Sequence, residues 1–249
     1  MPIQKVEKNS YSELLNVSAE QIGKYVLLPG DPARVPFLAE YFADAHRVTE
    51  KWIHLTYSGM VEGEMVSVVS TGMGCPAMAT TLEELISLGA HTFIRVGTSG
   101  TIQWKTDPAD LIITWAAARD ERTSLHYQPL SFPAVADMDV TTALMDAAQV
   151  LAVGYQVGIS QSKDAFYGEH DPLGMIASQA LLAKQKNFVR AGLLCSEMEV
   201  STLFVISAVR SVRAGGIMML GGSRAIALEN ISRVCAEAMK LLIRKNACT

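Results

Sequence analysis

The stretch from His91 to Gly100, HTFIRVGTSG, decides how the rest of the chain is read. A short apolar run, Thr92-Phe93-Ile94, leads straight into Arg95, and Gly97-Thr98-Ser99-Gly100 follows. A strand buried on both faces reads as such a continuous run, so the segment predicts a buried strand ending in a tight glycine turn. An arginine at the end of a buried run is costly to desolvate unless it meets an anion. Glycines let backbone N–H groups approach that anion, and the Thr and Ser hydroxyls add donors. Two readings stay open at this point. One is a phosphate-class pocket at the carboxyl end of a strand, where open α/β sheets place their ligands. The other is a structural arginine paired with a carboxylate beside an ordinary turn.

Toward the N-terminus, a second apolar run, Tyr25 to Leu28, is broken by Pro29-Gly30-Asp31-Pro32. The helix after it carries Val35, Leu38, Ala39 and Phe42 at amphipathic spacing. Arg34 lies in its first turn, where a cation opposes the helix dipole unless an anion binds there; a solvated arginine is the plainer alternative. Residues 48–70 read as a β-meander turning at Glu62-Gly63. Thr71-Gly72-Met73-Gly74 is a second glycine turn after a strand, and Cys75 to Leu88 is a helix with Gly89 as its C-cap. Toward the C-terminus, Leu111 to Trp115 predicts a strand, 116–139 a long irregular segment, Val140 to Leu151 a helix and Tyr155 to Ser160 a strand. The segment Lys163-Asp164-Ala165-Phe166-Tyr167-Gly168-Glu169-His170 suits a pocket that stacks a flat ring, with core packing of Phe166 as the alternative. Ala191 to Leu194 reads as a strand. Ser196 then opens a helix as N-cap, with Glu199 completing a capping box. Ile217 to Leu220 reads as a strand leading to Gly221-Gly222-Ser223-Arg224, and the closing helix spans about residues 229–244. Strands alternating with helices of this length predict βαβ units and a mainly parallel sheet.

Composition narrows the classes. The chain has 249 residues, 49% hydrophobic and 18% charged, which suits one large α/β domain and excludes disorder. We read residues 1–249 as a single domain, with 1–23 as a polar N-terminal extension. A net charge of -4 without a Lys/Arg block gives no nucleic-acid surface. Cys75, Cys195, Cys235 and Cys248 are scattered, so neither a metal site nor a disulfide framework is indicated. The N-terminus is not a signal peptide, and no apolar run reaches the ~18 residues of a membrane helix. The expectation is a cytoplasmic protein with no membrane partner.

Six motifs then occur in order: GDPAR at 30–34, STGMG at 70–74, FIRVGTSG at 93–100, FPAVAD at 132–137, DAFYG at 164–168 and EMEVSTLF at 197–204. On these the chain resembles the nucleoside phosphorylase-I family from about residue 24 to the C-terminal helix, and within it most resembles the uridine phosphorylases. The resemblance implies a single α/β domain with a mixed, mainly parallel central sheet flanked by helices. It also implies a homo-oligomer, usually a hexamer built from dimers. It assigns Gly30, Arg34, Arg95 and Thr98 to phosphate, Met198 and Glu199 to ribose, and Phe166 and Arg224 to the base. Arg95, Glu199 and Arg224 are the residues it implies for catalysis.

The activity so implied is reversible phosphorolysis of a nucleoside, most of all uridine, to free base and ribose 1-phosphate. Inorganic phosphate is the co-substrate, and neither a cofactor nor a metal is required. The chain departs from the pattern in several places. The uridine phosphorylases carry a Gln and an Arg just after the FYG-like segment, and here Glu169-His170-Asp171-Pro172 stands instead. An ionised glutamate only accepts hydrogen bonds, so Glu169 joins the base-binding set as an acceptor from a ring N–H or an amino group. A His and an Arg usually supplied by the neighbouring subunit fall near Leu14 and Trp52, with Lys51 and His54 close by, and the loop after Arg224 is short. A water-using nucleosidase and a non-catalytic nucleoside-binding homologue stand as alternatives.

Overall fold

The computed structural model describes residues 8–103, 111–220 and 224–247, the side chain of Arg224 excepted. A small hairpin, β1 (Tyr11–Ser12) and β2 (Val17–Ser18), comes first. β3 (Tyr25–Pro29) follows, and a 3-10 turn at Pro32–Arg34 runs into α1 (Val35–Ala39). β4 (Ala43–Lys51), β5 (His54–Val61) and β6 (Glu64–Val69) form the meander. Next come α2 (Cys75–Ser87), β7 (Thr92–Thr101), β8 (Leu111–Asp120), β9 (Ala134–Val135), α3 (Met138–Val150) and β10 (Tyr155–Lys163). The chain continues with α4 (Phe166–His170), α5 (Ser178–Arg190), β11 (Cys195–Glu197), α6 (Val200–Arg210), β12 (Arg213–Leu220) and α7 (Arg224–Ala247).

β3 to β12 make one mixed sheet in the order β11-β10-β8-β12-β7-β3-β6-β5-β4, with β9 beside β8. Its centre, β6-β3-β7-β12, is parallel. β11 pairs with both β10 and β7, so β7, β12, β8, β10 and β11 close into a ring. Strand residues alternate between two faces, and the apolar residues divide accordingly. Leu27, Ile94, Val96, Ile217 and Met219 pack under α1, α3 and α7. Val26, Leu28, Phe93, Ile112 and Met218 pack under α2 and α6. Both faces are covered, which is why the central strands read as unbroken apolar runs. The architecture is therefore the α/β fold read from the sequence. Residues 8–23 add Leu15, Val17 and Ile22 to the second core.

Several local boundaries differ from the sequence reading, each for a physical reason. Gly97 to Gly100 is strand, not turn. β12 holds this segment through the Leu220–Ser99 pairing, and β11 holds Gly100 and Thr101. Gly97 is needed for close approach instead, because a Cβ there would lie 2.4 Å from Met218 Sδ. Residues 116–120 belong to β8, extended by nine paired positions with β10. Ala191–Leu194 is the turn that ends α5, with Gly192 at φ +80°, and the strand begins only at Cys195. Helix α5 itself, within residues 173–190, carries no element in the sequence reading. None of its residues is fully buried, although Leu181, Leu182, Phe188 and Val189 recur at helical spacing, so the pattern holds the element and the sequence reading misses it. The closing helix starts at Arg224, which leaves no loop between that residue and the helix. Among the described residues no helix is long and apolar enough to cross a membrane.

Candidate active site

The carboxyl ends of β3, β7, β11 and β12, with the turn after β6, surround a cavity of about 900 Å³. It is lined by Gly30, Arg34, Arg95, Thr98, Phe166, Met198 and Glu199, seven of the nine residues named from the sequence. Glu169 lies outside this lining, against an adjoining cavity of about 550 Å³. The side chain of Arg224 lies outside the described residues.

Arg95 and Glu199 form the centre. Both are about 5% exposed or less. Arg95 Nη2 donates to Glu199 Oε2 at 2.6 Å and Nη1 to the Leu28 carbonyl at 3.0 Å, while Nε is buried with no partner. Gly30 makes room for this guanidinium. A Cβ at position 30 would lie 3.1 Å from Arg95 Nη2 and 3.0 Å from the Gly72 carbonyl. The other Glu199 oxygen accepts from the Gly74 N–H at 2.7 Å. Gly74, at φ +94°, is the N-cap of α2, so the carboxylate faces the positive end of that helix. The second glycine turn therefore exists to aim this N–H.

The capping-box reading of residues 196–199 does not hold. α6 starts at Val200, and Glu197 is the residue that caps it. Its carboxylate accepts from the Glu199 N–H at 2.6 Å and the Val200 N–H at 2.8 Å. The Ser196 hydroxyl has no partner. Glu199 sits at the N-cap position with its side chain turned away to Arg95, free of any capping bond. Glu197 also accepts from the Ser160 hydroxyl at 3.1 Å and from Ser162. Full burial and the neighbouring Glu199 charge push its carboxyl up to about 7, against the lowering effect of these bonds. Sequence reasoning gave Glu197 no role; the signal was an acidic residue three positions before a helix start.

Phe166 is 47% exposed, which excludes the core-packing alternative. Its ring packs on His170 at 4.3 Å between centroids and on Tyr167 at 5.2 Å. Met198 lines the same cavity, and its carbonyl accepts from the Cys75 thiol at 3.1 Å. Glu169 is buried, takes one contact from the Lys184 ammonium, and is pinned to α5 by Gln185 donating to its carbonyl at 2.6 Å. Of the two nearby basic residues, Lys51 reaches the Glu13 carbonyl and His54 is buried against the Ser70 carbonyl at 3.0 Å. Trp52 is 79% exposed, and it is Ile53 that reaches the cavity.

One group of metal-type donors exists among the described residues: the Cys75 thiol and the Glu121 and Asp164 carboxylates lie within 4.8 Å of one another. Each is already committed. Burial pushes the Cys75 thiol well above its ordinary range. Glu121 accepts from Ser124 and from the Ser201 hydroxyl at 2.9 Å, and Asp164 accepts from the Arg122 N–H at 3.0 Å. The cluster is a hydrogen-bonded brace between β8, β10 and α6.

Comparison with known proteins adds a family. Residues 24–244 match the profile of the phosphorylase superfamily. The chain is 43% identical over 244 residues to a uridine phosphorylase of Treponema pallidum, covering 94% of this chain and 95% of that protein. It is 37% identical over 229 residues to a uridine phosphorylase of Thermococcus kodakarensis, covering 89% and 83%. A guanosine phosphorylase of Halorubrum lacusprofundi is 32% identical over 209 residues, covering 84% and 82%.

Proposed function

The chain belongs to the phosphorylase superfamily, and from that membership and the cavity at its strand ends we propose that it is a nucleoside phosphorylase. It is a pentosyltransferase that splits uridine reversibly with inorganic phosphate into uracil and ribose 1-phosphate, with no other cofactor. The observation that carries this reading is the buried Arg95–Glu199 pair, opened to the cavity by Gly30 and flanked there by Arg34, Thr98, Met198 and Phe166.

Phosphate attacks the anomeric carbon as the bond to the base nitrogen breaks, and that bond's electron pair leaves with the base. Positive charge grows on the sugar and negative charge on the base. Arg95, Arg34, Thr98 and the Gly30 backbone hold and orient the phosphate, so the rate gain comes from positioning and fixed charge. Glu199 accepts from the ribose hydroxyls and favours the cationic sugar ring. Phe166 stacks the base, and Arg224 and Glu169 read its edge. The working unit is a cytoplasmic homo-oligomer built from dimers. The exposed side chains of Phe37, Ile53 and Met73 at the cavity rim support a partner there.

The test is base release from uridine, thymidine, cytidine, inosine and adenosine, with and without phosphate. Release that requires phosphate, with uridine preferred, is the expected result. Release without phosphate would make the protein a nucleosidase, and no release by folded, oligomeric protein would make it a binding homologue. Arg95→Ala is expected to abolish the dependence on phosphate; unchanged phosphate kinetics would remove Arg95 from the site.

A further inference from the structure

Lys163 ends β10 and lines both cavities, the larger one described above and the adjoining one that runs beside α5. Its side chain is only 4% exposed. Among the described residues, no hydrogen bond or ion pair satisfies its ammonium. It lies 5.7 Å from the centroid of the Phe166 ring, the surface on which the base is proposed to stack. Glu169 is 8% exposed and offers the complementary group. One of its oxygens takes the Lys184 ammonium, and the other, Oε2, is buried with no partner. Lys184 also donates to Asp120 at 2.8 Å, and Asp120 is the register partner of Lys163 on β8.

A buried carboxylate oxygen left unsatisfied is costly, and the Lys163 ammonium beside the cavity is a donor without a protein partner among the described residues. Both residues line the adjoining cavity, and Lys163 also lines the larger one; their opposite hydrogen-bonding sense suits a ligand edge with an acceptor beside a donor. Burial holds the Lys163 amine below its ordinary range, while Glu169, Glu197 and Asp120 favour its charge and Lys184 opposes it. The Asp120–Lys184–Glu169 chain supplies the countercharge that lets Glu169 serve as an acceptor.

We infer that Lys163 and Glu169 are the specificity-determining pair for the base: Lys163 donates to a ring carbonyl and Glu169 Oε2 accepts from the adjacent ring N–H. This rests on the phosphorylase reading of the larger cavity, which Lys163 lines, while Glu169 faces the adjoining one. Uracil presents that edge, an N3–H flanked by carbonyl oxygens. As the bond to the sugar breaks, its electron pair spreads from the departing nitrogen to those oxygens. The Lys163 ammonium meets the growing charge and keeps its own proton, so its effect falls on turnover as well as on binding. The departure at position 169 is thereby accounted for. A carboxylate has no donor, and the donor comes from the end of β10.

The experiment titrates uracil and 3-methyluracil into the wild type, Lys163→Met and Glu169→Met by calorimetry, with phosphate present. In parallel, uridine turnover and thermal melting are followed. The wild type is expected to bind uracil and to discriminate against 3-methyluracil. Lys163→Met is expected to lose about 10- to 100-fold in uracil affinity, the usual range for one charge-assisted hydrogen bond. Its melting temperature should be unchanged or higher, since an unpaired buried cation has been removed. Glu169→Met is expected to erase the discrimination against 3-methyluracil. Lys163→Gln, which keeps a neutral donor, should fall between the wild type and Lys163→Met and serves if the Met variant does not fold. A wild type that shows this binding pattern but cleaves no uridine overturns the phosphorylase reading alone. A wild type that cleaves uridine while the folded variants keep its uracil affinity and discrimination overturns the present inference alone, and so does a wild type that binds neither base.

Discussion

Glu199→Gln separates a structural role for the Arg95–Glu199 pair from one in ligand exchange. The substitution keeps shape and one acceptor oxygen. The structure gives Glu199 two charge-assisted contacts, Arg95 Nη2 at 2.6 Å and the Gly74 N–H at 2.7 Å, with 4% of its side chain exposed. The amide oxygen can keep only one of them, and Arg95 attracts it more strongly. The NH2 group then faces the Gly74 N–H, donor to donor. A charged hydrogen bond contributes about 1.5–3 kcal/mol, and a buried ion pair broken from one side costs about 3–5 kcal/mol. Retaining one bond places the expected loss near the lower bound, about 3 kcal/mol. For a chain of this size each kcal/mol moves the melting point about 2–4 °C, so the variant should melt roughly 6–12 °C lower. Phosphate reverses part of this loss. In the wild type it must compete with Glu199 for Arg95, whereas in the variant the guanidinium lacks its counterion. Phosphate at a hundred times its dissociation constant stabilises by about 2.7 kcal/mol, and its dissociation constant should be lower in the variant. The assay is thermal melting against a phosphate series, with uridine turnover alongside, which should fall at least about 100-fold. A variant melting within about 2 °C of wild type, or stabilised by phosphate to the same degree, would refute this account of the pair.

Gly30→Ala puts a methyl group 3.1 Å from Arg95 Nη2 and 3.0 Å from the Gly72 carbonyl. It should raise the phosphate KM at least about 10-fold by moving the guanidinium, with an unchanged circular dichroism spectrum; an unaltered KM would show that the guanidinium does not need that space. Glu197 gives the pH prediction. Its folded carboxyl sits at about 7, above the ordinary 4.5, because of burial and Glu199, so the folded state holds this proton more tightly than the unfolded chain does. That contribution is complete below about pH 4.5 and fades as pH rises through 7. Wild type should therefore lose on the order of 1–3 kcal/mol between pH 5 and 8 that Glu197→Gln does not lose, as read by denaturant unfolding at the two pH values. Parallel slopes for both proteins would assign the pH dependence elsewhere.

The parts of the fold legible in the sequence are those fixed by two-sided burial. Tyr25–Leu28, Phe93–Ile94, Leu111–Ile113 and Ile217–Leu220 read as strands because apolar residues are required on both faces. What was illegible depends on partners distant in sequence. Gly97 to Gly100 look like a turn in isolation, and only β11 and β12, more than ninety residues away, keep them extended. Helix α5 lies on the surface with no buried residue; its stripe of Leu181, Leu182, Phe188 and Val189 is diluted by Lys184, Gln185, Lys186 and Asn187 between them. The capping box failed because Glu197 makes a stronger cap than Ser196 and releases Glu199 for Arg95. Lys163 was visible as a letter beside Phe166, but its lack of a partner is a property of the folded cavity alone.

Of the two readings of Arg95 that the sequence left open, the structure shows the ion pair with a carboxylate, and the anion site proposed above would use the same guanidinium. Arg95 is paired with a carboxylate, and that carboxylate is the residue proposed to hold the ribose. In the free protein each side chain satisfies the other by a direct hydrogen bond. On the proposed assignment, phosphate would offer Arg95 a replacement anion and the ribose hydroxyls would offer Glu199 replacement donors. The Gly74 N–H holds the other Glu199 oxygen and the Leu28 carbonyl holds Arg95 Nη1 independently of that pair. The pair therefore preorganises both halves of the cavity without an unpaired charge in the resting state. Under that assignment, binding one ligand would loosen the Arg95–Glu199 contact for the other, which predicts positive coupling between phosphate and nucleoside affinity, equal in both directions by linkage.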